Sequence, residues 1–223
     1  MNKNIIIISG GCPVNPEFLS KQIRKSGKCL MICCDSGARH LLNMKIKPDV
    51  IIGDMDSIDC SQLAGYSREK IKIIKYPADK DFTDTELALN YALGLKPGKI
   101  FIWCALGGRI DHTLANIFLL SQAREKGVEF ILADEYCEVF VLNKSKVFTR
   151  EKGKTVSLIA LTPQVTGITL SGFAYPLTNG SLYMGESRGI SNVIKNARAI
   201  IEIKKGKLLV VKYRQKNVFP EAL

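Results

Sequence analysis

The 223-residue sequence predicts an N-terminal parallel-sheet α/β domain with crossover helices, followed by a smaller antiparallel all-β sandwich. Three observations carry that expectation. Up to about residue 134, short unbroken apolar runs alternate with segments of helical periodicity, as strands covered on both faces and joined by crossover helices require. From about residue 137 the pattern changes to alternating segments separated by Gly, Pro, Asn and Ser, which suits an antiparallel sheet. Charge divides near the same place: residues 1–140 hold 18 Lys+Arg against 17 Asp+Glu, and residues 141–223 hold 14 against 4. The expected domains are 1–135 and 136–223.

Taken in order, IIIIS (5–9) reads as a first strand, because four isoleucines are too short for a signal-peptide core or a membrane span. PEFLSKQIRKSG (16–27) has helical spacing, and LMICCD (30–35) is a second strand leading into the helical SGARHLLNM (36–44). DVIIGD (49–54) and IKIIKY (71–76) are further strands. A helix begins in KDFTDTELAL (80–89), where Thr83 and Glu86 fit a capping box and Leu87, Leu89 and Ala92 give the apolar spacing. IFIWCAL (100–106) is a strand, GGRIDHTLANIFLL (107–120) a glycine pair opening a helix, and EFILAD (129–134) the last strand of the first domain. The second domain reads as TVSLIAL, GITLSG, SLYMGES and AIIEIKKGKLLVVKY, with KKGK as a hairpin-type turn.

The composition, 46% hydrophobic and 24% charged, is that of a globular protein without low-complexity tracts. The seven cysteines form an odd set without paired C-x-x-C spacing, which suits reduced thiols in a cytoplasm better than a disulfide framework or a zinc site. The basic second domain would suit nucleic acid, an acidic surface or a polyphosphate. It shows no aromatic-rich stacking motif and no recognition helix, so nucleic acid is not the expected partner.

Chemistry-bearing residues gather behind the strands. In an open parallel sheet, ligands bind beyond the carboxyl ends, where the sequence places Asp35, Asp54 and Asp56. In GDMDS (53–57) an extended i, i+2 pair would turn both carboxylates to one side, fit for a hard cation such as Mg²⁺. A tight turn with the aspartates bonding nearby N–H groups explains the same residues equally well. Capping accounts for Thr83 and Glu86 but not for Asp81. Arg109 suits phosphate through its fixed fork of donors, with a surface ion pair as the plain alternative, and Asp111 could simply cap the helix. His112 and Asn116 share a helix face and read as structural.

No G-x-x-x-x-G-K-[ST], G-x-G-x-x-G or G-x-S-x-G signature is present. The remaining inventory of carboxylates, an arginine and a lysine around a hard cation fits phosphoryl or pyrophosphoryl transfer. A kinase of another small alcohol would share these parts but release ADP.

DSGARHL (35–41), DVIIGDMDS (49–57), KDFTDTELAL (80–89), GGRIDHTLAN (107–116), GFAYPLTN (172–179) and SRGISN (187–192) together resemble the bacterial thiamine pyrophosphokinases. The resemblance runs in order across nearly the whole chain. It implies transfer of the β,γ-pyrophosphoryl group of ATP to the hydroxyl of thiamine, giving thiamine diphosphate and AMP. It also implies an α/β catalytic domain, a β-sandwich that helps to hold thiamine, and a homodimer with active sites between subunits. On this resemblance Asp54, Asp56 and Asp84 hold Mg²⁺, with Asp35, Asp81, Thr83 and Lys80 around the triphosphate. Arg109 neutralises phosphate and Asp111 orients the substrate end. Tyr175, Ser187, Ser191 and Asn192 are the implied thiamine contacts; some members carry Trp where this chain has Tyr175.

Overall fold

The computed structural model describes residues 4–42, 44–79, 81–123 and 127–216. The chain divides into two compact units, Met1–Glu135 and Tyr136–Leu223.

The first unit contains β1 (Ile5–Ile8), α1 (Pro16–Lys25), β2 (Leu30–Cys34), a 3-10 turn (Asp35–Gly37) leading into α2 (Ala38–Leu42), β3 (Val50–Gly53), α3 (Cys60–Arg68), β4 (Lys72–Lys75), α4 (Asp84–Gly94), β5 (Lys99–Trp103), α5 (Ile110–Ala123) and β6 (Glu129–Ala133). Its strands lie in the order β6-β5-β1-β2-β3-β4, and every neighbouring pair is parallel. All four isoleucines of β1 are buried, as a central strand covered on both faces demands. Edge strand β4 instead exposes Lys72 and Lys75, charges that discourage pairing with another chain.

Helix starts follow local chemistry. Asn15 accepts from the Phe18 N–H at 3.0 Å with Pro16 as the first helical residue, and Thr83 Oγ1 accepts from the Glu86 N–H at 3.2 Å. Helix α3 has no counterpart in the sequence reading. Its residues, CSQLAGYSR, are largely polar with an interior glycine and give a weak helical pattern, yet Asp59 caps it by accepting from the Gln62 N–H at 2.9 Å.

The second unit consists of β7 (Cys137–Leu142), β8 (Ser145–Thr149), β9 (Lys154–Ala160), β10 (Gln164–Ser171), β11 (Leu177–Tyr183), β12 (Asn192–Val193), β13 (Arg198–Glu202) and β14 (Leu208–Lys216). They form two antiparallel layers, β12-β9-β14-β7 and β11-β10-β13-β8. Phe148 and Phe173 meet edge-to-face in the core, with centroids 6.2 Å apart. The KKGK segment turns the chain but makes no hairpin: β13 pairs with β8 and β10, whereas β14 pairs with β7 and β9. Gly206, at φ 101°, carries the chain from one layer to the other; the Thr166 carbonyl accepts the Lys205 N–H at 3.3 Å, and a Cβ on Gly206 would lie 2.7 Å from the Gln164 carbonyl. Further along β14, Lys212 bonds Glu151 at 2.8 Å and Glu138 at 3.0 Å. Lys154 and Arg214 each hold one of the same glutamates at 3.0 Å, which closes a network over three strands. No helix among the described residues is long and apolar enough to cross a membrane.

Candidate active site

Strand order fixes where the site lies. The chain runs outward from β1 through β2, β3 and β4 on one side and places β5 and β6 on the other. The order therefore reverses between β1 and β5, where a crevice opens beyond the strand ends. A cleft of about 490 Å³ occupies that place, and the segments after β1 (Ser9 to Cys12) and after β5 (Ala105, Gly107 to Arg109) line it.

Both loops are pinned. Gly11 donates to the Cys104 carbonyl at 2.7 Å, and a Cβ on Gly11 would lie 2.6 Å from that oxygen. Gly107 and Gly108 have φ of 77° and 70°, a backbone that glycine adopts without strain. Helix α5 holds the second loop from below: buried Asn116 donates through Nδ2 to the Ala105 carbonyl at 2.8 Å, and Thr113 Oγ1 donates to the Gly107 carbonyl at 3.3 Å. At the base of the cleft, Ser9 and Thr85 share a hydroxyl hydrogen bond of 2.6 Å.

The acidic cluster sits beside this cleft. Asp35, Asp54 and Asp56 each offer a carboxylate oxygen, and the three lie within 4.8 Å of one another. Asp35 is only 1% exposed. It accepts from the Met55 N–H at 3.1 Å and from the Ser36 N–H. Asp54 and Asp56 converge through a turn, not an extended pair: Met55 between them has φ 68°, and Asp56 N–H donates to Asp54 Oδ1 at 3.3 Å. The turn and the convergence of carboxylates, which the sequence set against each other, coexist. Gly53 is required by closeness, since a Cβ there would lie 2.9 Å from Cβ and Cγ of Asp35.

Asp84, the first residue of α4, lines the cleft and faces Asp35. Burial, and next the Asp84 charge, push the Asp35 carboxyl up from 3.8 to about 6, against the lowering by the Ser36 hydrogen bond. Oxygen donors gathered this closely repel one another, and a hard divalent cation would relieve that repulsion. The donor set therefore fits Mg²⁺.

The remaining expected residues fall into distinct places. Thr83 and Arg109 line the cleft; Asp81 and Asp111 do not. Arg109 grips Asp111 with a fork, Nε to Oδ1 at 3.2 Å and Nη2 to Oδ2 at 2.5 Å. That bond holds the Asp111 carboxyl down at about 2. Both side chains are exposed, so an anion could take over the guanidinium. Lys80 lies outside the described residues. The sequence reading gave Thr85 and Arg39 no role of their own, because their places depend on strand adjacency and not on spacing.

In the second unit a cavity of about 400 Å³ is lined by Leu158, Leu170, Leu182, Tyr175, Arg188 and Asn192, among others; Ser187 and Ser191 are not among its lining residues. Tyr175 is 70% exposed. Asn192 is buried, and its amide is committed to backbone: Oδ1 accepts from Tyr175 N–H at 3.0 Å and from Val193 N–H at 2.8 Å, while Nδ2 donates to the Tyr175 carbonyl at 2.7 Å. Asn192 thus fixes the backbone of the aromatic residue. Ser191, at φ 60°, donates its N–H to Ser157 Oγ at 3.0 Å, and the Ser187 carbonyl accepts from the Ile190 N–H at 3.1 Å.

Comparison with known proteins gives this architecture its place. Residues 23–132 match the model of the thiamin pyrophosphokinase catalytic domain, and residues 142–208 that of the thiamin pyrophosphokinase vitamin B1 binding domain. A thiamine pyrophosphokinase of Bacillus subtilis is 32% identical over 214 residues, covering 94% of this chain and 98% of the relative. Thiamine pyrophosphokinase 1 of rice (Oryza sativa) is 28% identical over 192 residues, covering 74% of this chain and 72% of the relative. The crystal structure of a Bacillus subtilis thiamine pyrophosphokinase superposes with a TM-score of 0.83 at 28% identity, covering 96% of this chain and all of that one. A glycine-lined cleft at the strand-order reversal, carboxylates beside it and two matched domains in the same sequence have one common explanation: this chain belongs to the thiamine pyrophosphokinase family.

Proposed function

We propose that the first unit binds ATP with its triphosphate in the β1–β5 cleft and transfers the β,γ-pyrophosphoryl group to the hydroxyl of thiamine, releasing AMP. The observation that carries this reading is the convergence of Asp35, Asp54 and Asp56, whose carboxylate oxygens lie within 4.8 Å of one another, next to a cleft that Asp84, Thr83 and Arg109 line. Asp54, Asp56 and Asp35 would hold Mg²⁺, with Asp84 beside them. The ion would supply neutralisation of phosphate charge, the main demand of phosphoryl chemistry. The thiamine oxygen attacks the β-phosphorus, the bond from that phosphorus to the oxygen it shares with the α-phosphate breaks, and the hydroxyl proton passes to a carboxylate. Arg109 exchanges Asp111 for phosphate.

The second unit, 136–223, is the thiamine-binding part in this reading. Tyr175 offers an exposed aromatic face to a cationic heteroaromatic ring. Asn192 supports Tyr175 from behind, and Ser187 and Ser191 shape the turn. A homodimer belongs to the same proposal, supported by the exposed apolar stripe Ile110, Leu114 and Phe118 on α5. A reducing cytoplasmic setting is supported by seven cysteines that are all free thiols.

Asp56→Asn tests the metal assignment. The variant should fold cooperatively and lose most turnover, with Mg²⁺ binding by calorimetry weakened in parallel. Near-normal activity in Asp56→Asn would remove Asp56 from the metal cage.

A further inference from the structure

Arg39 lies outside every role assigned so far. It is the second residue of α2, is exposed, and lines the cleft on the side of β1, facing the glycine loop. Its Nη2 donates to the Gly10 carbonyl at 3.0 Å, its one hydrogen-bond partner among the described residues. The neighbouring His40 Nε2 lies 3.1 Å from the Gly11 carbonyl. The loop that receives these bonds is tied to the neighbouring strand end: Ser9 N–H donates to the Trp103 carbonyl at 2.9 Å and Gly11 N–H to the Cys104 carbonyl at 2.7 Å. The guanidinium is therefore fixed at one corner while its other N–H groups remain for a ligand.

Charge points the same way. Of the two described arginines in the cleft lining, Arg109 is neutralised by its fork to Asp111. Arg39 has no carboxylate partner among the described residues. A polyphosphate entering a cleft bordered by four aspartates needs a positive group on the wall away from them, and a planar guanidinium matches two phosphate oxygens at once.

We propose that Arg39 is a specificity-determining residue that binds the phosphate chain of the nucleotide and so selects di- and triphosphates over monophosphates. This rests on the assignment of the cleft to ATP. A residue that only propped the glycine loop would affect all nucleotides alike, because the loop borders the whole cleft. A phosphate ligand would matter in proportion to the phosphates present.

The test is calorimetric titration of the full chain with ATP, ADP and AMP in the presence of Mg²⁺, for the wild type, Arg39→Gln and Arg39→Lys. Removing a charge-assisted contact should weaken ATP and ADP by roughly tenfold or more and leave AMP within about twofold. Arg39→Lys, which keeps the charge and lacks the fork, should lie between; it carries the same comparison if Arg39→Gln does not fold. Steady-state kinetics should show a raised KM for ATP with the KM for thiamine unchanged. Equal losses for ATP and AMP, or ATP binding as tight as the wild type's, would overturn the proposal while leaving the cleft assignment intact. A wild-type protein that bound none of the three nucleotides would overturn both.

Discussion

At the scale of single residues, the site is a set of charges held closer together than they would choose. Asp35 shows this most clearly. Its carboxyl titrates near 6 instead of 3.8, because it is buried and faces Asp84. The sign follows by linkage: between those values the folded state binds more protons than the unfolded one. Stability of the metal-free protein should therefore be greater near pH 4 than near pH 7, as far as this group is concerned, falling as pH rises through about 6. Added Mg²⁺ should raise the melting temperature strongly at pH 8 and little at pH 5, since protons and metal compete for the same oxygens. A Mg²⁺-induced shift of equal size at both pH values would contradict the cluster. Asp35→Asn removes one repelling charge. It should raise the melting temperature of the metal-free protein at pH 8 while abolishing most turnover, a trade of stability against function.

Gly53 is the companion case. A methyl group there would press on Asp35 at 2.9 Å in a backbone conformation at φ 156°. Gly53→Ala should cost about 1–3 kcal/mol, measured by denaturant unfolding, and should weaken Mg²⁺ binding as well. Loss of stability with unaltered Mg²⁺ affinity would mean that Asp35 is not part of the metal cage.

At the scale of elements, the strands of the first unit were legible because their burial on both faces writes itself as unbroken Ile, Val and Cys runs. The acidic and glycine-rich segments were legible for a related reason, since each immediately follows such a run. Helix α3 was not, because its pattern is weak and it is defined by the Asp59 cap. The turn at KKGK was legible but its partners were not: turn chemistry marks a reversal without saying which sheet receives the next strand. Asn192 illustrates the same boundary among site residues. The family resemblance implied a ligand contact for it, and the fold commits its amide to the backbone of Tyr175, 17 residues away. Asn192→Ala should therefore raise the KM for thiamine through misplacement of Tyr175, and Tyr175→Ala combined with it should add little. Fully additive effects would restore Asn192 as an independent contact.

The ion network across β7, β14 and β9 belongs to this scale too. Burial raises the Glu151 carboxyl, but hydrogen bonds from Lys212 and Lys154 outweigh it and the net displacement is downward. Lys212→Met leaves two partly buried glutamates short of their shared cation. It should cost about 3 kcal/mol of unfolding free energy, read from denaturant curves, and leave Mg²⁺ binding unchanged.

At the scale of the whole molecule, the chain has two units of different architecture: a parallel sheet whose strand-order reversal places glycine loops and carboxylates at one crevice, and a β-sandwich with an aromatic-edged cavity. Each matches a domain of the thiamine pyrophosphokinase family. The central claim is that the acidic cluster and the cleft serve transfer of a pyrophosphoryl unit, and not of a single phosphate. The most direct test is to mix the purified protein with thiamine, ATP and Mg²⁺ and to quantify thiamine diphosphate, thiamine monophosphate, AMP and ADP together. Thiamine diphosphate and AMP in equal amounts, both lost when Mg²⁺ is chelated, is the predicted result. ADP with thiamine monophosphate, or product formation indifferent to Mg²⁺, would contradict it.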